Sequence, residues 1–138
     1  MNLIEVGQSC AISEPYETGL KLVRSALLNA GLSISGEFDL SGSLNRETRS
    51  IVARSKILYV DSPLRLFEAL ALDRAAAVLL PLHVLVASQD GQTRVRWVCS
   101  TATFGARLPP GAASPIEELQ AEVGRALRPW LGAGACAC

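Results

Sequence analysis

The residues of this chain that can do chemistry are few, and one histidine near two arginines is the most prominent group. His83 is the only histidine in the sequence, and Arg94 and Arg96 follow it closely. Arginine donates a fixed fork of hydrogen bonds to carboxylates and phosphates, and a protonated histidine adds a further donor. If the three side chains share one strand face, they can hold a small anion or a carboxylate. The alternative is a solvated or dimer-buried strand face, because arginines on exposed strands are common.

His83 can also be considered as an axial haem ligand or a metal ligand. A lone histidine without a second histidine or a nearby carboxylate is weak evidence for such a site. The anion-binding hypothesis therefore ranks above a metal or haem at His83, and the sequence identifies no cofactor.

A second candidate site lies in the Gly/Ala/Cys tail, residues 132–138, which carries Cys136 and Cys138. A Cys-X-Cys pair on a flexible arm of small residues suits a soft metal such as copper(I) or zinc, or a carried sulfur or mixed disulfide. Two thiolates do not complete a tetrahedral site, so a partner chain, Cys10 or Cys99 has to contribute. The alternative is an unanchored terminus with incidental cysteines.

Catalytic groups have little support. Ser9-Cys10 and Ser100-Thr101 offer nucleophile types, but a nucleophile needs a base within hydrogen-bond reach and the chain has one histidine. Glu37 and Asp39 have the spacing of an acid–base pair, yet the polar side of an amphipathic strand has the same pattern. We expect a protein that is not an enzyme.

Length and charge restrict the class of protein. The chain has 138 residues, 13 basic and 13 acidic, for a formal net charge of zero. We expect one domain over residues 1–131 followed by the tail, and no general attraction to nucleic acid or anionic membrane. No secretion signal or membrane span is recognisable, so we expect a cytoplasmic protein with reduced thiols.

The elements that must position His83 and the arginines form a hairpin. Asp90-Gly91 supplies the two positive-φ positions of a type I′ turn. The register of a two-residue turn places three pairs on a core face: Leu82 with Cys99, Val84 with Trp97, and Val86 with Val95. The opposite face then carries His83, Leu85 and Ala87 against Val98, Arg96 and Arg94. Pro81 before the hairpin fits the start of a strand.

The first half of the chain predicts a strand, a helix and a strand. Alternation over about residues 3–10 indicates the first strand. Ser13 with Pro15 opens a helix that Gly31 ends, with an apolar stripe of Tyr16, Leu20, Val23 and Leu27. Strict alternation then predicts a strand whose buried side is Leu32, Ile34, Gly36, Phe38 and Leu40.

The second half adds two helices around the hairpin. Residues 41–55 predict a polar loop or one to two helical turns, and residues 57–60 an apolar strand. Ser62-Pro63 begins a helix to about Leu72, with Leu66, Phe67 and Leu70 facing inward. After a loop over 101–113, a capping box at residues 114–117 begins a helix with an apolar stripe of Ile116, Leu119, Val123, Leu127 and Trp130. This order predicts an α+β two-layer sandwich, with a mixed or antiparallel sheet of about five strands and helices on one face.

These features resemble the family known as domain of unknown function 302, over roughly residues 13–131. The family pattern is a Glu-Glu-Thr helix start, a glycine before an alternating strand that ends in Glu-Ile-Asp, an Asn-Pro helix start, and a Pro-Leu or Pro-Cys element that opens a valine-rich hairpin. This chain fills those places with Tyr16-Glu17-Thr18, Gly31, Glu37-Phe38-Asp39, Ser62-Pro63 and Pro81-Leu82. The resemblance implies a compact α+β fold, often dimeric, and carries no catalytic residues to transfer.

Three hypotheses for the function remain. The first, which we favour, is a non-catalytic binding or assembly module that forms a homodimer, because the hairpin face of Leu85, Ala87 and Val98 with two arginines is typical of an interface. Its ligand is a small anionic or apolar molecule or a protein partner. The second is a soft-metal or sulfur carrier that uses Cys136 and Cys138. The third is an enzyme with an anion site around His83.

Overall fold

The computed structural model describes residues 7–98 and 113–131. Five strands and four α-helices follow one another along this part of the chain, in nearly the order that the sequence predicts. They are β1 (Gln8–Ile12), α1 (Tyr16–Asn29), β2 (Ser33–Phe38), α2 (Leu40–Thr48), β3 (Ser55–Asp61), α3 (Pro63–Leu72), β4 (Leu82–Gln89), β5 (Gln92–Trp97) and α4 (Ala113–Ala126). Short 3-10 helices follow α3 (Arg74–Leu79) and α4 (Arg128–Trp130).

The five strands form one antiparallel sheet in the order β1-β5-β4-β3-β2. Its core face packs against α1 and α4, which bury their apolar stripes on the strands. The chain is therefore an α+β protein with an antiparallel sheet of five strands, as the sequence predicts.

The hairpin has the predicted register. Asp90 and Gly91 have φ of 53° and 76°, as a type I′ turn requires. Val84 faces Trp97 and Val86 faces Val95, and all four side chains are buried. The predicted partner of Leu82, Cys99, lies outside the described residues.

Helix α1 lies unusually close to β5 at one point. A Cβ on Gly19 would overlap the side chain of Thr93, whose hydroxyl donates a 2.9 Å hydrogen bond to the carbonyl of Glu14. The buried stripe of α1 is the predicted one, and Gly31 follows the helix with φ of 84°. Glycine tolerates this conformation without the steric cost of a side chain.

The prediction for the second strand is wrong at its end. The register of β2 against β3 shifts between Ile34 and Gly36, which is a β-bulge. Ile34 faces Val60 on the core side, but beyond the shift Phe38 faces Ile57 on the opposite side of the sheet and is 40% exposed. An extra residue in one strand reverses the side of every later side chain, so strict alternation in the sequence does not give one continuous buried face.

The ambiguous segment is a helix longer than the predicted one to two turns. Helix α2 spans nine residues, and the Asp39 carboxylate caps it by accepting a 3.0 Å hydrogen bond from the Gly42 amide. The Ser41 hydroxyl holds the helix start to β3 by accepting a 3.0 Å hydrogen bond from the Ser55 amide. An acidic cap and one buried hydroxyl compensate here for the small apolar content of the helix.

Helix α3 has the predicted bounds but a different inward face. Ser62 caps it, with its hydroxyl 3.5 Å from the Arg65 amide. Ala69 is fully buried, whereas Phe67 and Leu70, both predicted to face inward, are 72% and 37% exposed. The inward side instead carries Ala69, which packs with Ala76 and with Ile116 of α4, and Arg65, whose Nε donates a 2.9 Å hydrogen bond to Glu122.

Two element boundaries also differ from the prediction. Strand β1 continues to Ile12, two residues beyond the predicted end. Helix α4 begins at Ala113, so Ser114 lies in its first turn instead of at the cap. Helix ends defined by different criteria commonly differ by one or two residues. The predicted stripe of α4 is buried from Ile116 to Leu127, and Trp130 is partly buried in the 3-10 helix that follows.

Candidate functional site

The candidate site is the side of the sheet opposite the core face, which we call the second face. Its side chains follow from the strand register and alternate with the buried ones. They include Ser9, Ala11, Ser33, Phe38, Ile57, Tyr59, Asp61, His83, Leu85, Ala87, Arg94 and Arg96, and Val98 just past β5 continues them. The hydrophobic clusters formed by the described residues include none of these side chains.

One row of the second face crosses the whole sheet. Ser9 faces Arg96, which faces Leu85, which faces Ile57, which faces Phe38. Leu85 and Ile57 are only partly buried. The centre of the face is therefore apolar and in contact with solvent, with one charged side chain near the β1 edge.

His83 lies on the second face as predicted. It faces Tyr59 on β3, with the two ring centroids 5.2 Å apart and the rings inclined by 66°. This edge-to-face arrangement is a favourable one for aromatic rings. None of the hydrogen bonds among the described residues joins His83 to a serine, threonine or cysteine side chain.

Arg94 and Arg96 lie beside each other on β5, where they face Ala87 and Leu85. Both are partly buried, and neither forms an ion pair or side-chain hydrogen bond with a residue in the described ranges. Four other arginines each reach a carboxylate, namely Arg24, Arg54, Arg65 and Arg125. Two guanidinium groups therefore lie on a half-buried, mainly apolar surface with no carboxylate partner among the residues that the structure describes.

Asp61, the acidic group of the second face, is not predicted from the sequence. Its Oδ1 is buried and accepts no hydrogen bond in the described structure. Burial raises the pKa of this carboxyl, and the nearby Ser35 hydroxyl acts in the opposite direction. Only its position in the sequence indicates this location, because Asp61 is two residues beyond Tyr59 and so lies on the same side of the strand.

A pocket adjoins His83. It has a volume of about 280 Å³ and is lined by residues 78–83 and Val98. His83 supplies the only polar side chain among the described residues that line it. Arg94 instead lines a smaller cavity of about 60 Å³ beside the hairpin turn, so His83 and Arg94 share a face but not a pocket.

Of the residues of the predicted thiol site, the structure describes Cys10. Cys99, Cys136 and Cys138 lie outside the described residues, and metal binding by the tail stays a prediction. Cys10 is buried in the core, and burial raises the pKa of its thiol to about 11. Since metals bind the thiolate, a core position with this pKa is unsuited to complete a site. Within the described ranges no three His, Cys, Asp or Glu side chains cluster as metal ligands.

The two acidic residues considered for acid–base chemistry have structural roles. Glu37 accepts two 2.6 Å hydrogen bonds from Arg24 of α1, which with nearby Lys56 lower the pKa of its carboxyl. The Gly42 amide lowers the pKa of Asp39 through the hydrogen bond that caps α2. Both carboxylates are engaged in the fold.

Comparison with known proteins gives a family and a fold. The sequence profile of the family described as Domain of unknown function DUF302 matches residues 8–131. The crystal structure of an uncharacterized conserved DUF302 protein from Bacillus stearothermophilus is similar, with a TM-score of 0.81 and 15% sequence identity. The similarity covers 91% of this chain and 98% of that one. No curated protein matches the sequence.

None of the described helices is long and apolar enough to cross a membrane.

The family match extends over nearly the whole described structure, from the start of β1 to the residue after the last 3-10 helix. The chain belongs to the DUF302 family.

Proposed function

We propose that this chain is a non-catalytic binding and assembly module that works as a homodimer in the cytoplasm. The observation that carries the proposal is the second face. It combines an apolar centre with unpaired charges, and no hydrophobic cluster of the described residues includes it. Such a face resembles a protein interface, in which an apolar core has a charged rim.

The pocket beside His83 supports a binding role in the same dimer. Apart from His83 the side chains that line it are apolar, and its volume of about 280 Å³ suits a small molecule. The imidazole at its edge can donate a hydrogen bond to a carboxylate or another anionic group. The expected ligand is thus a small apolar molecule with one anionic or hydrogen-bonding group.

The same observations favour binding over catalysis. Cys10 is buried with a raised pKa, and Glu37 and Asp39 are held by structural contacts. The one histidine contacts a tyrosine ring and not a nucleophile. With a net charge of zero, we expect neither nucleic acid nor an anionic membrane as partner.

Native mass spectrometry of protein purified without chelator tests this proposal, because it reports the copy number and any bound small molecule together. We expect a dimer, and a bound molecule that is lost from His83→Ala. The variant Leu85→Glu places a charge at the centre of the second face and should give monomers. Leu28→Glu is the matched control, since Leu28 is 54% exposed on α1 and lies outside the second face. Monomeric wild-type protein, or equal dimerisation of both leucine variants, would contradict the proposal.

A further inference from the structure

The second face carries opposite charges at the two ends of one diagonal. Arg96 on β5 faces Leu85 on β4, and His83 lies two residues before Leu85. His83 in turn faces Tyr59 on β3, and Asp61 lies two residues beyond Tyr59. Each step passes to the neighbouring strand and then moves two residues along that strand. Arg96, His83 and Asp61 therefore lie on one line, with His83 at its midpoint.

Neither end of this diagonal has a charged partner in the described structure. Arg96 is partly buried without an anion in the described structure, and Asp61 has a carboxylate oxygen that is buried and accepts no hydrogen bond. Removing a charge or a polar atom from water without compensation is unfavourable. Each group would therefore be stabilised by an opposite charge on whatever covers the face.

We propose that the second face is covered by the same face of a second copy, related by a two-fold axis that passes His83, so that Arg96 of each copy pairs with Asp61 of the other. This inference rests on the proposed homodimer and specifies its geometry. The axis lies in the plane between the two faces and crosses the diagonal at a right angle at its midpoint, His83. Rotation about this axis places the Arg96 end of one copy over the Asp61 end of the other. It therefore creates two Arg96–Asp61 ion pairs, one on each side of His83.

Charge complementarity favours a second copy over an unrelated partner. An acidic ligand would pair with Arg96 and leave the buried oxygen of Asp61 without a donor, and a basic partner would have the reverse defect. An identical face brings both charges in the required arrangement. The partly buried Tyr59, Leu85 and Ile57 lie beside the diagonal, where they would exclude water from the two pairs.

Charge exchange tests the pairing. Arg96→Asp and Asp61→Arg should each weaken dimerisation at least about tenfold, because each places like charges together twice in the dimer. An equimolar mixture of the two variants should form a heterodimer, in which both contacts again join opposite charges. Native mass spectrometry distinguishes it from either homodimer by mass. The control is Arg128→Asp, a charge reversal at an exposed position outside the second face, which should leave dimerisation unchanged.

The possible outcomes separate this inference from the proposed function. Monomeric wild-type protein overturns both. A wild-type dimer that neither variant weakens, or variants that dissociate but form no heterodimer when mixed, overturns the Arg96–Asp61 pairing alone. If a charge reversal prevents folding, as circular dichroism would show, the neutral variants Arg96→Gln and Asp61→Asn replace it. Each of these should weaken the dimer at least about threefold, and an unchanged dissociation constant overturns the pairing.

Discussion

Tyr59 and His83 face each other across β3 and β4 with their ring centroids 5.2 Å apart, and this contact lies on the exposed side of the sheet. The contact places the only histidine of the chain at the centre of the second face, between Arg96 and Asp61. The histidine is exposed, and its ring packs edge-to-face on the tyrosine instead of joining a hydrogen-bonded catalytic group.

The ring contact should be weak but measurable. A double-mutant cycle with Tyr59→Leu and His83→Ala should give a coupling energy of about 0.5–1.5 kcal/mol in the free energy of unfolding, the range for aromatic pairs. Urea denaturation of the four proteins measures it. Additive effects of the two substitutions would show that the rings do not interact in solution.

Trp97 should be among the most important core residues. It is 3% exposed and faces the fully buried Val84. Trp97→Ala should lower the free energy of unfolding by about 3–5 kcal/mol, since a large buried side chain leaves a cavity. Trp130→Ala is the matched control, because Trp130 is only partly buried, and its cost should be clearly smaller. Equal costs for the two substitutions would mean that the core is not centred on the hairpin.

The Arg24–Glu37 pair should make stability depend on pH in the acid range. Because the contact with Arg24 lowers the pKa of Glu37 in the folded protein, its stabilisation is fully present above the unfolded pKa of about 4.3. It is lost as the pH falls through the lower folded pKa. We expect a contribution of roughly 0.5–1 kcal/mol, since both side chains are partly exposed.

Thermal unfolding between pH 7 and pH 2.5 measures this effect. Glu37→Gln should be less stable than the wild type at pH 7, and the two should converge at the acid end. Ser25→Ala, on the exposed side of α1, controls for general acid unfolding and should stay parallel to the wild type. A constant difference between Glu37→Gln and the wild type would exclude the ionised pair as its cause.

Cys10 should be chemically inert in the folded protein. In a variant with Cys99, Cys136 and Cys138 replaced by serine, the remaining thiol is buried and has a pKa of about 11. A disulfide reagent at pH 8 should label it no faster than the protein opens, and rapidly in denaturant. Rapid labelling of the native variant would show that β1 leaves the sheet readily.

The sequence predicts those parts of the fold that local chemistry specifies. The Asp90-Gly91 turn fixes the hairpin register, and with it the face of His83, Arg94 and Arg96. The bulge between Ile34 and Gly36 has no such signal, because a register shift depends on the neighbouring strand. For that reason alternation placed Phe38 on the wrong side of the sheet.

The rotation of α3 and the role of Asp61 depend on tertiary contacts in the same way. The inward side of α3 packs Ala69 against Ile116 and pairs Arg65 with Glu122, two residues that lie more than forty residues further along the chain. Asp61 is one acidic residue at the end of a strand, and only the alignment of three strands places it in line with Arg96. Long-range pairing of this kind cannot be read from spacing along the chain.

Sedimentation velocity of the wild-type protein at tens of micromolar tests the central claim most directly, because the proposed function and the Arg96–Asp61 pairing both require a second copy on the second face. The chain has a mass of 14.6 kDa. We predict a single boundary at twice that mass, which shifts toward the monomer on dilution. A boundary at the monomer mass throughout this range would contradict the account.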